Sequence, residues 1–391
     1  MINDEKLILK KANIALVGHV TESYGPMQAL PSFLQRNVDE FTVISHPFSY
    51  CGILSSECSF FVKGKLAEKY NLLRHKFKTF YFLHYFGDLL ITFYFFFRLG
   101  KKWDIFIGCD CLNTFCGVLL KELKLVKKVI FYENEYKVRR FDNVILNLTF
   151  HFFNGFTARR SDVIWDSPPG MESLRESQSV LSERIIRVPH GVDLEKVKIP
   201  KEVVNRYELV YVGHVTDSKG LQLVTSVLGE VVKRVPQVKM TIVGSGPFEE
   251  KLRNLVEKNG LQDHYLFWGY TDHDWTLSYL PKCGVGLAPY TPLDKQALMY
   301  AEPLKVKDYL ACGLPVIMTK FSQVAQDIEE REMGIAIEYH QKDLKEAILK
   351  LFTDKKFYNK CRKNVLSYDK NITWDETYFR SFRKTLKILK E

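Results

Sequence analysis

Twice along its 391 residues the chain places a run of buried-type side chains directly before a glycine-bearing loop that opens into a helix-like stretch. Asn13-Ile-Ala-Leu-Val-Gly18 leads into His19-Val-Thr-Glu-Ser-Tyr-Gly-Pro26, and Leu209-Val-Tyr-Val-Gly213 leads into His214-Val-Thr-Asp-Ser-Lys-Gly220. Further short apolar runs come after each opening: 41–45, 103–108, 128–135 and 161–165 in the first half, then 238–244, 265–269, 284–289 and 314–317 in the second. Strands that alternate with helices predict parallel sheets, so the chain is expected to be α/β, with two doubly wound Rossmann-like domains. Its length is also large for one core. The expected divisions are a domain over 1–193, a charged linker over 194–206, a domain over 207–365 and a final helical stretch over 366–391.

Bulk properties exclude several classes. With 46% hydrophobic and 26% charged residues and no biased tract, the chain has the composition of a soluble globular protein. Its acidic start, Met1 to Lys6, is expected to lead into a strand rather than a signal-peptide core. The eight cysteines form no CxxC pair and mostly sit in apolar runs, which reads as buried, reduced thiols of a cytosolic protein. The net charge of +10 favours an anionic partner. No helix-turn-helix, zinc or aromatic-ribbon motif supports nucleic acid as that partner, and no acidic cluster suggests a metal site.

In the first half, Gly18 and Gly25 would permit a tight strand-to-helix loop around His19, but no G-x-G-x-x-G is present there, so a dinucleotide site is not expected. Residues 63–78 carry Lys63, Lys65, Lys69, Arg74, Lys76 and Lys78 against one acid, Glu68, and run into the aromatic-rich stretch 80–97. This reads as a solvated charged helix before a core helix; a basic segment beside aromatics also fits an anionic membrane surface. His84, Gly87 and Asp88 interrupt the aromatic run and argue against a membrane span. Glu133 and Glu135 share parity at a strand end, so they could face a ligand together, one of them as base or sugar ligand. Alternatively they only pair with Arg139 and Arg140.

In the second half, Pro303 suits the first turn of a helix and Gly313 the left-handed residue just past its end. Leu304 and Lys305 would then sit at the positive start of that helix, and Asp308 one turn further in could accept hydrogen bonds from sugar hydroxyls. An anion joined to a polyol is what a nucleotide-sugar diphosphate offers; an ordinary mixed-charge surface helix is the alternative. Lys219, after the first strand of this domain, would bring a second cation to the same edge.

With those residues in hand, the chain resembles the GT-B glycosyltransferases, and its second half resembles family 4. The motifs are Tyr211 to Gly220, Val243-Gly-Ser-Gly-Pro247, Phe267-Trp-Gly269 and Lys305 to Ile317, preceded by Pro189-His-Gly-Val-Asp193. Together they cover about residues 185–340; Phe131 to Tyr136 with Arg140-Phe141 is similar to a subgroup of bacterial and archaeal sugar transferases. The resemblance implies two domains facing across a cleft, with the C-terminal helix, about Trp374 to Lys390, crossing back to the first. It implies a UDP- or GDP-sugar donor whose diphosphate meets Lys219, Lys305 and the backbone at Leu304, with Asp308 on the ribose and Gly269 and Tyr270 beside the base. Gly213, His214 and Gly244 belong to the same donor site, although His214 stands where the family has an arginine. Tyr300 stands where the family has a glutamate on the donor sugar, with Glu302 two residues later as a candidate substitute.

The activity expected from this resemblance is sugar transfer to a saccharide or lipid-linked acceptor, in assembly of cell-surface polysaccharide or glycolipid. Retention and independence of a cofactor or metal are expected, with Lys219 and Lys305 stabilising the leaving diphosphate. The acceptor would meet the first domain near Gly18, His19, Gly25 and Glu135, on a cytoplasmic protein peripheral to the membrane. Alternatives are a sugar-nucleotide epimerase of the same architecture and a non-catalytic partner subunit.

Overall fold

Strands and helices alternate along the chain, and the computed structural model sorts the strands into two sheets. It describes all residues except 1, 21–23, 49–51, 74–80, 202–203, 295–299, 301–302, 369–372 and 390–391. Of the residues singled out above, Arg74, Lys76, Lys78, Glu302 and Lys390 lie outside the described residues, as does Cys51, one of the eight cysteines. Two units result, Met1–His190 together with Trp374–Glu391, and Gly191–Thr373.

The first unit opens with a helix, α1 (Ile2–Lys11), so the acidic start is helical and does not lead directly into a strand. Then come β1 (Asn13–Val20), α2 (Pro26–Asn37), β2 (Glu40–Pro47), β3 (Ser55–Val62) and β4 (Lys65–Leu73). After them stand α3 (Tyr81–Leu99), β5 (Trp103–Cys109), α4 (Cys111–Glu122) and β6 (Val126–Glu133). The unit continues with α5 (Val144–Arg160), β7 (Val163–Asp166), α6 (Met171–Ser177) and β8 (Ile185–Arg187). The sheet order is β4-β3-β2-β1-β5-β6-β7-β8. It is parallel from β2 to β8, while β3 and β4 add an antiparallel edge.

That edge corrects the expectation for the basic segment. Lys63 and Gly64 have φ of 48° and 73°, the left-handed pair that a two-residue hairpin turn requires. The described lysines Lys65 and Lys69 therefore lie on an edge strand, not a helix, where charges discourage edge-to-edge pairing. The aromatic run is helical as expected. It turns His84, Asp88, Thr92, Phe95 and Phe96 inward, while Phe86, Leu90, Tyr94 and Phe97 are exposed. Its buried face thus carries polar groups beside two rings, while its outer face is apolar. Among the described residues no helix is long and apolar enough to cross a membrane.

The second unit carries β9 (Glu208–Val212), α7 (Leu221–Arg234), β10 (Lys239–Val243), α8 (Glu249–Lys258), β11 (Tyr265–Gly269), α9 (His273–Tyr279) and β12 (Val285–Ala288). Next come α10 (Leu304–Ala311), β13 (Val316–Thr319), α11 (Gln323–Glu330), β14 (Gly334–Ile337), α12 (Gln341–Thr353) and α13 (Lys355–Ser367). All its strands are parallel, in the order β11-β10-β9-β12-β13-β14. Counted from the first strand of the unit, this is the dinucleotide-fold order 3-2-1-4-5-6. Both faces are covered, one by the cluster around Leu228, Leu252 and Leu351, the other by that around Val306, Leu310 and Ile328.

The last helix, α14 (Trp374–Ile388), belongs to the first unit. Phe382 stacks on Phe33 at 5.7 Å between ring centres, and the Trp165 indole N–H donates to Thr385 Oγ1 at 2.8 Å. All seven cysteines among the described residues are buried free thiols.

Candidate functional site

Open parallel sheets bind ligands where the strand order reverses, outside the carboxyl ends of the two strands that flank the reversal. In the second unit those strands are β9 and β12. The chain leaves β9 through Gly213 and β10 through Gly244, with φ of 122° and 131°. A Cβ on Gly244 would lie 2.1 Å from the Gly213 carbonyl oxygen, so two backbones meet there without side chains. The Gly213 N–H donates to Val243 O at 2.8 Å, and that of Gly244 to Gly269 O at 2.6 Å. Tyr211, buried at the end of β9, donates its hydroxyl to the His214 carbonyl at 2.9 Å and fixes the loop that carries Lys219. The His214 side chain itself is exposed.

Two lysines converge on this floor. Lys305 Nζ lies 3.9 Å from the Tyr211 ring centre and 5.3 Å from that of Tyr290; Lys219 Nζ lies 5.2 Å from the same Tyr290 ring. A Cβ on Gly213 would come within 3.2 Å of the Lys305 ammonium. Lys305 is the second residue of α10; Pro303 is its cap and not its first helical residue, and its carbonyl accepts from the Val306 N–H at 3.0 Å. Gly313, at φ 79°, stands just beyond the end of α10, as expected. The leading N–H groups of a helix have no intrahelical acceptor, so they add positive potential beside the two ammonium groups.

Asp308, one turn along α10, is buried, with both oxygens 3.3 Å from Nε2 of His273. Burial raises its carboxyl above the usual range, against the pull of His273. Burial alone would lower the imidazole, but Asp308, with Asp193 and Asp274, outweighs it and holds His273 above its ordinary value. The first residue of α9 thus orients the carboxylate, a partner that sequence reasoning missed. An Asp-His pair drawn from two separate helices 35 residues apart has no spacing signature. Beyond β11, Tyr270 is exposed and Tyr300 half-buried.

In the first unit the order reverses between β1 and β5. His19 near the end of β1 is buried and held at both ring nitrogens: Nδ1 is 2.7 Å from Asp110 Oδ2 and Nε2 is 3.1 Å from Asp88 Oδ2. Burial by itself would lower its pKa, yet Asp110 and Asp88 raise it to about 9, so His19 is an imidazolium at neutral pH. Asp88 also lies 3.2 Å from Nδ1 of His46. Asp110 takes φ 89° and ψ 164° and caps α4, accepting from the Leu112 and Asn113 N–H groups at 2.9 Å. Burial would raise its carboxyl, but His19 holds it below the ordinary value. Neither Asp110 nor Asp88 was among the expected site residues, although an aspartate directly after a buried strand and before a helix is a cap signal.

These charges line one side of a pocket of about 380 Å³ between α3, α4 and α5. Its remaining wall is mainly apolar, with Phe86, Leu89, Leu119, Leu146, Phe150 and Phe153. Arg140 also lines it, the guanidinium 5.2 Å from the Phe150 ring centre.

The other expected acceptor residues do not line this pocket. Gly18 is a packing glycine, since a Cβ would meet Met27 Sδ at 2.5 Å and Cys109 Cβ at 2.8 Å. Gly25 caps α2 in an extended conformation that any residue adopts. Neither is left-handed, and residues 21–23 of the loop expected between them lie outside the described residues. Glu133 and Glu135 do not share a face, because β6 ends at Glu133 and the period-two rule stops there. Glu133 is buried, accepts from the Asn154 amide and lies 3.9 Å from Arg175, which binds Asp166 through two nitrogens. Burial pushes its carboxyl up to about 7 against Arg175 and Arg140. Glu135 is exposed and pairs with Lys137 at 3.2 Å.

A family model described as Glycosyl transferases group 1 matches residues 193–367. The chitobiosyldiphosphodolichol beta-mannosyltransferase of Candida glabrata is 23% identical over 242 residues, which are 60% of this chain and 52% of the relative. The chain spans about half the length of the curated relatives it matches. Among solved structures, the sucrose-phosphate synthase of Thermosynechococcus elongatus superimposes with a TM-score of 0.72 at 14% identity, covering 97% of this chain and 100% of that one. HepE of Anabaena, solved in complex with UDP, gives 0.68 at 12% identity over 96% and 99%. The architecture of two parallel-sheet, Rossmann-like domains is the GT-B fold.

Proposed function

We propose that this chain, whose residues 193–367 match the glycosyl transferases group 1 family model, moves a hexosyl unit from a nucleoside-diphosphate sugar to a hydroxyl of a saccharide or lipid-linked acceptor. The observation that carries this reading is the convergence of Lys219 and Lys305 on Tyr290 beside the start of α10. A diphosphate seated there would meet two ammonium groups and the helix start, and Asp308, held by His273, would accept from the ribose hydroxyls. Gly269 and the exposed Tyr270 flank the base in this reading.

In the reaction, the bond from the anomeric carbon to the diphosphate oxygen breaks and the nucleotide leaves with the electron pair. The acceptor oxygen bonds the anomeric carbon on the face the diphosphate leaves, passing its proton to the departing phosphate, and attack on that face gives retention. Positive charge fixed in advance stabilises the leaving group as its charge develops. Two lysines and a helix start supply that charge, the ground for proposing a reaction that needs no metal ion; turnover unaffected by a chelator would agree. His19, as an imidazolium held by two carboxylates, orients an acceptor and is not a base. In this reading the protein works at the cytoplasmic face of a membrane in glycolipid or cell-surface polysaccharide assembly; the dolichol-linked substrate in the Candida relative's name supports the lipid-linked acceptor.

Calorimetry with UDP and GDP tests the donor site. Lys305→Ala is expected to weaken binding of the preferred nucleotide by about 1.5–3 kcal/mol, the range for a hydrogen bond to a charged group. Unchanged affinity would remove Lys305 from the site.

A further inference from the structure

A surface helix of a water-soluble protein turns a charged or polar face to solvent. Helix α8 of the second unit does so: its exposed residues are Glu250, Lys251, Arg253, Asn254, Glu257 and Lys258. Two helices of the first unit do the opposite. The exposed side chains described on α3 are Phe86, Leu90, Tyr94, Phe97 and Arg98. On α5 they are Val144, Ile145, Leu148, Phe152, Arg159 and Arg160. The apolar members are 49–63% exposed on α3 and 62–72% exposed on α5, and each set keeps to one helical face. Asp88, the one acid in either helix, is buried.

Both helices pack against α4, and side chains of all three line the pocket described above, so the two stripes belong to one layer of helices. Side chains of this size present on the order of 100 Å² each when about half uncovered. Together the two stripes exceed the few hundred Å² to which apolar patches on monomeric proteins are normally confined.

Charge decides what such a surface meets. The carboxyl-terminal ends of α3, α4 and α5 with the turns after them, residues 98–104, 121–128 and 159–162, hold nine basic residues against three acids. The acids are taken up by pairs such as Lys121 with Asp162, Lys127 with Asp104 and Arg160 with Glu122. Arg98, Lys102, Lys124 and Arg159 are exposed and form no ion pair within 4 Å among the described residues. A second copy would bring the same positive end and its own net charge of +10. A bilayer with anionic headgroups offers hydrocarbon to the stripes and opposite charge to the helix ends.

We propose that the outer faces of α3 and α5 form a docking surface for an anionic bilayer, with both helices lying in the plane of the headgroups. Neither helix is long and apolar enough to cross the membrane. The basic edge strand β4 is not the contact, since it exposes Glu68 beside Lys65 and Lys69 and presents no aromatic ring. This surface rests on the reading above only for which membrane is meant; the contact itself is argued from the exposed side chains.

The test is flotation of the full chain with vesicles of phosphatidylcholine alone and of phosphatidylcholine mixed equally with phosphatidylglycerol. Wild type is expected to float with the mixed vesicles and to bind the neutral ones at least tenfold more weakly. Phe97→Gln with Leu148→Gln, which removes one ring and one leucine from the two stripes, is expected to lower binding to mixed vesicles at least tenfold. Leu90→Gln with Phe152→Gln is the second pair should the first lose the wild-type thermal melt. Lys102→Gln with Arg159→Gln is expected to weaken binding severalfold and to flatten its salt dependence. Lys65→Gln with Lys69→Gln is expected to bind as wild type does. Folded stripe variants that bind mixed vesicles like wild type overturn the proposal, and so does loss of binding in the β4 variant alone. Wild-type chains that ignore vesicles and instead sediment as dimers, separated by the stripe substitutions, would assign the face to a second copy and overturn it too. Calorimetry with UDP and GDP on the same samples keeps the readings apart: lost nucleotide binding would sink the donor site and leave the vesicle result standing.

Discussion

Asp110 holds φ 89°, a region that L-residues with side chains avoid, at a cost on the order of 1–3 kcal/mol. Its carboxylate is thereby set to cap α4 and clamp His19 at once. The clamp has a measurable pH signature. His19 has its pKa raised from 6.5 to about 9, so its contribution is fully present below pH 6.5 and is lost as pH rises through 9. A shift of that size corresponds to about 3 kcal/mol. Urea unfolding at pH 6 and pH 10 is expected to show a loss of that order in wild type and a smaller one in Asp110→Asn, which keeps a cap but not the charge. A His19 ring resonance that titrates near 6.5 in wild type would contradict the clamp. At this scale the sequence pointed to Lys219, after a strand, and Lys305, at a helix start, and the two side chains do converge on Tyr290. It concealed Asp88 and His273, whose partners are 69 and 35 residues away and meet only through packing.

The elements show where pattern reading succeeds. Apolar runs bounded by glycine marked β1, β9, β10 and β12, since a strand buried on both faces is uniformly apolar. The β3–β4 hairpin escaped because β4 is exposed along most of its length and shows no period-two contrast. Its signal was the turn, Lys63-Gly64. Gly64 is left-handed at φ 73°, and a Cβ there would meet the Gln35 carbonyl oxygen at 3.0 Å. Gly64→Ala is therefore expected to cost about 1–2 kcal/mol in chemical unfolding, the penalty for a left-handed L-residue. A change below a few tenths would mean that the turn relaxes freely. The paired carboxylates Glu133 and Glu135 failed as a candidate for a related reason: parity along a strand says nothing once the strand has ended.

Across the whole molecule, the alternation of strand and helix revealed the doubly wound class, and the restart near Leu209 revealed that it occurs twice. The attachment of α14 to the first unit was foreseeable only through a resemblance, because an amphipathic helix does not say which core it covers. Trp374, Tyr378, Phe382 and Thr385 are all buried. Ending the chain before Trp374 strips cover from Phe33 and Trp165. Such a truncation is expected to lose the cooperative unfolding transition of the first unit and to bind a hydrophobic dye, while nucleotide binding by the second unit persists. A truncated chain with both transitions intact would show α14 to be dispensable. This arrangement also sets a timetable for synthesis. A ribosome makes the second unit as one unbroken stretch, whereas the first must wait for α14 until the whole of the second unit has been made. Until then, its partly formed core depends on chaperones or on slow handling to escape association with other nascent chains.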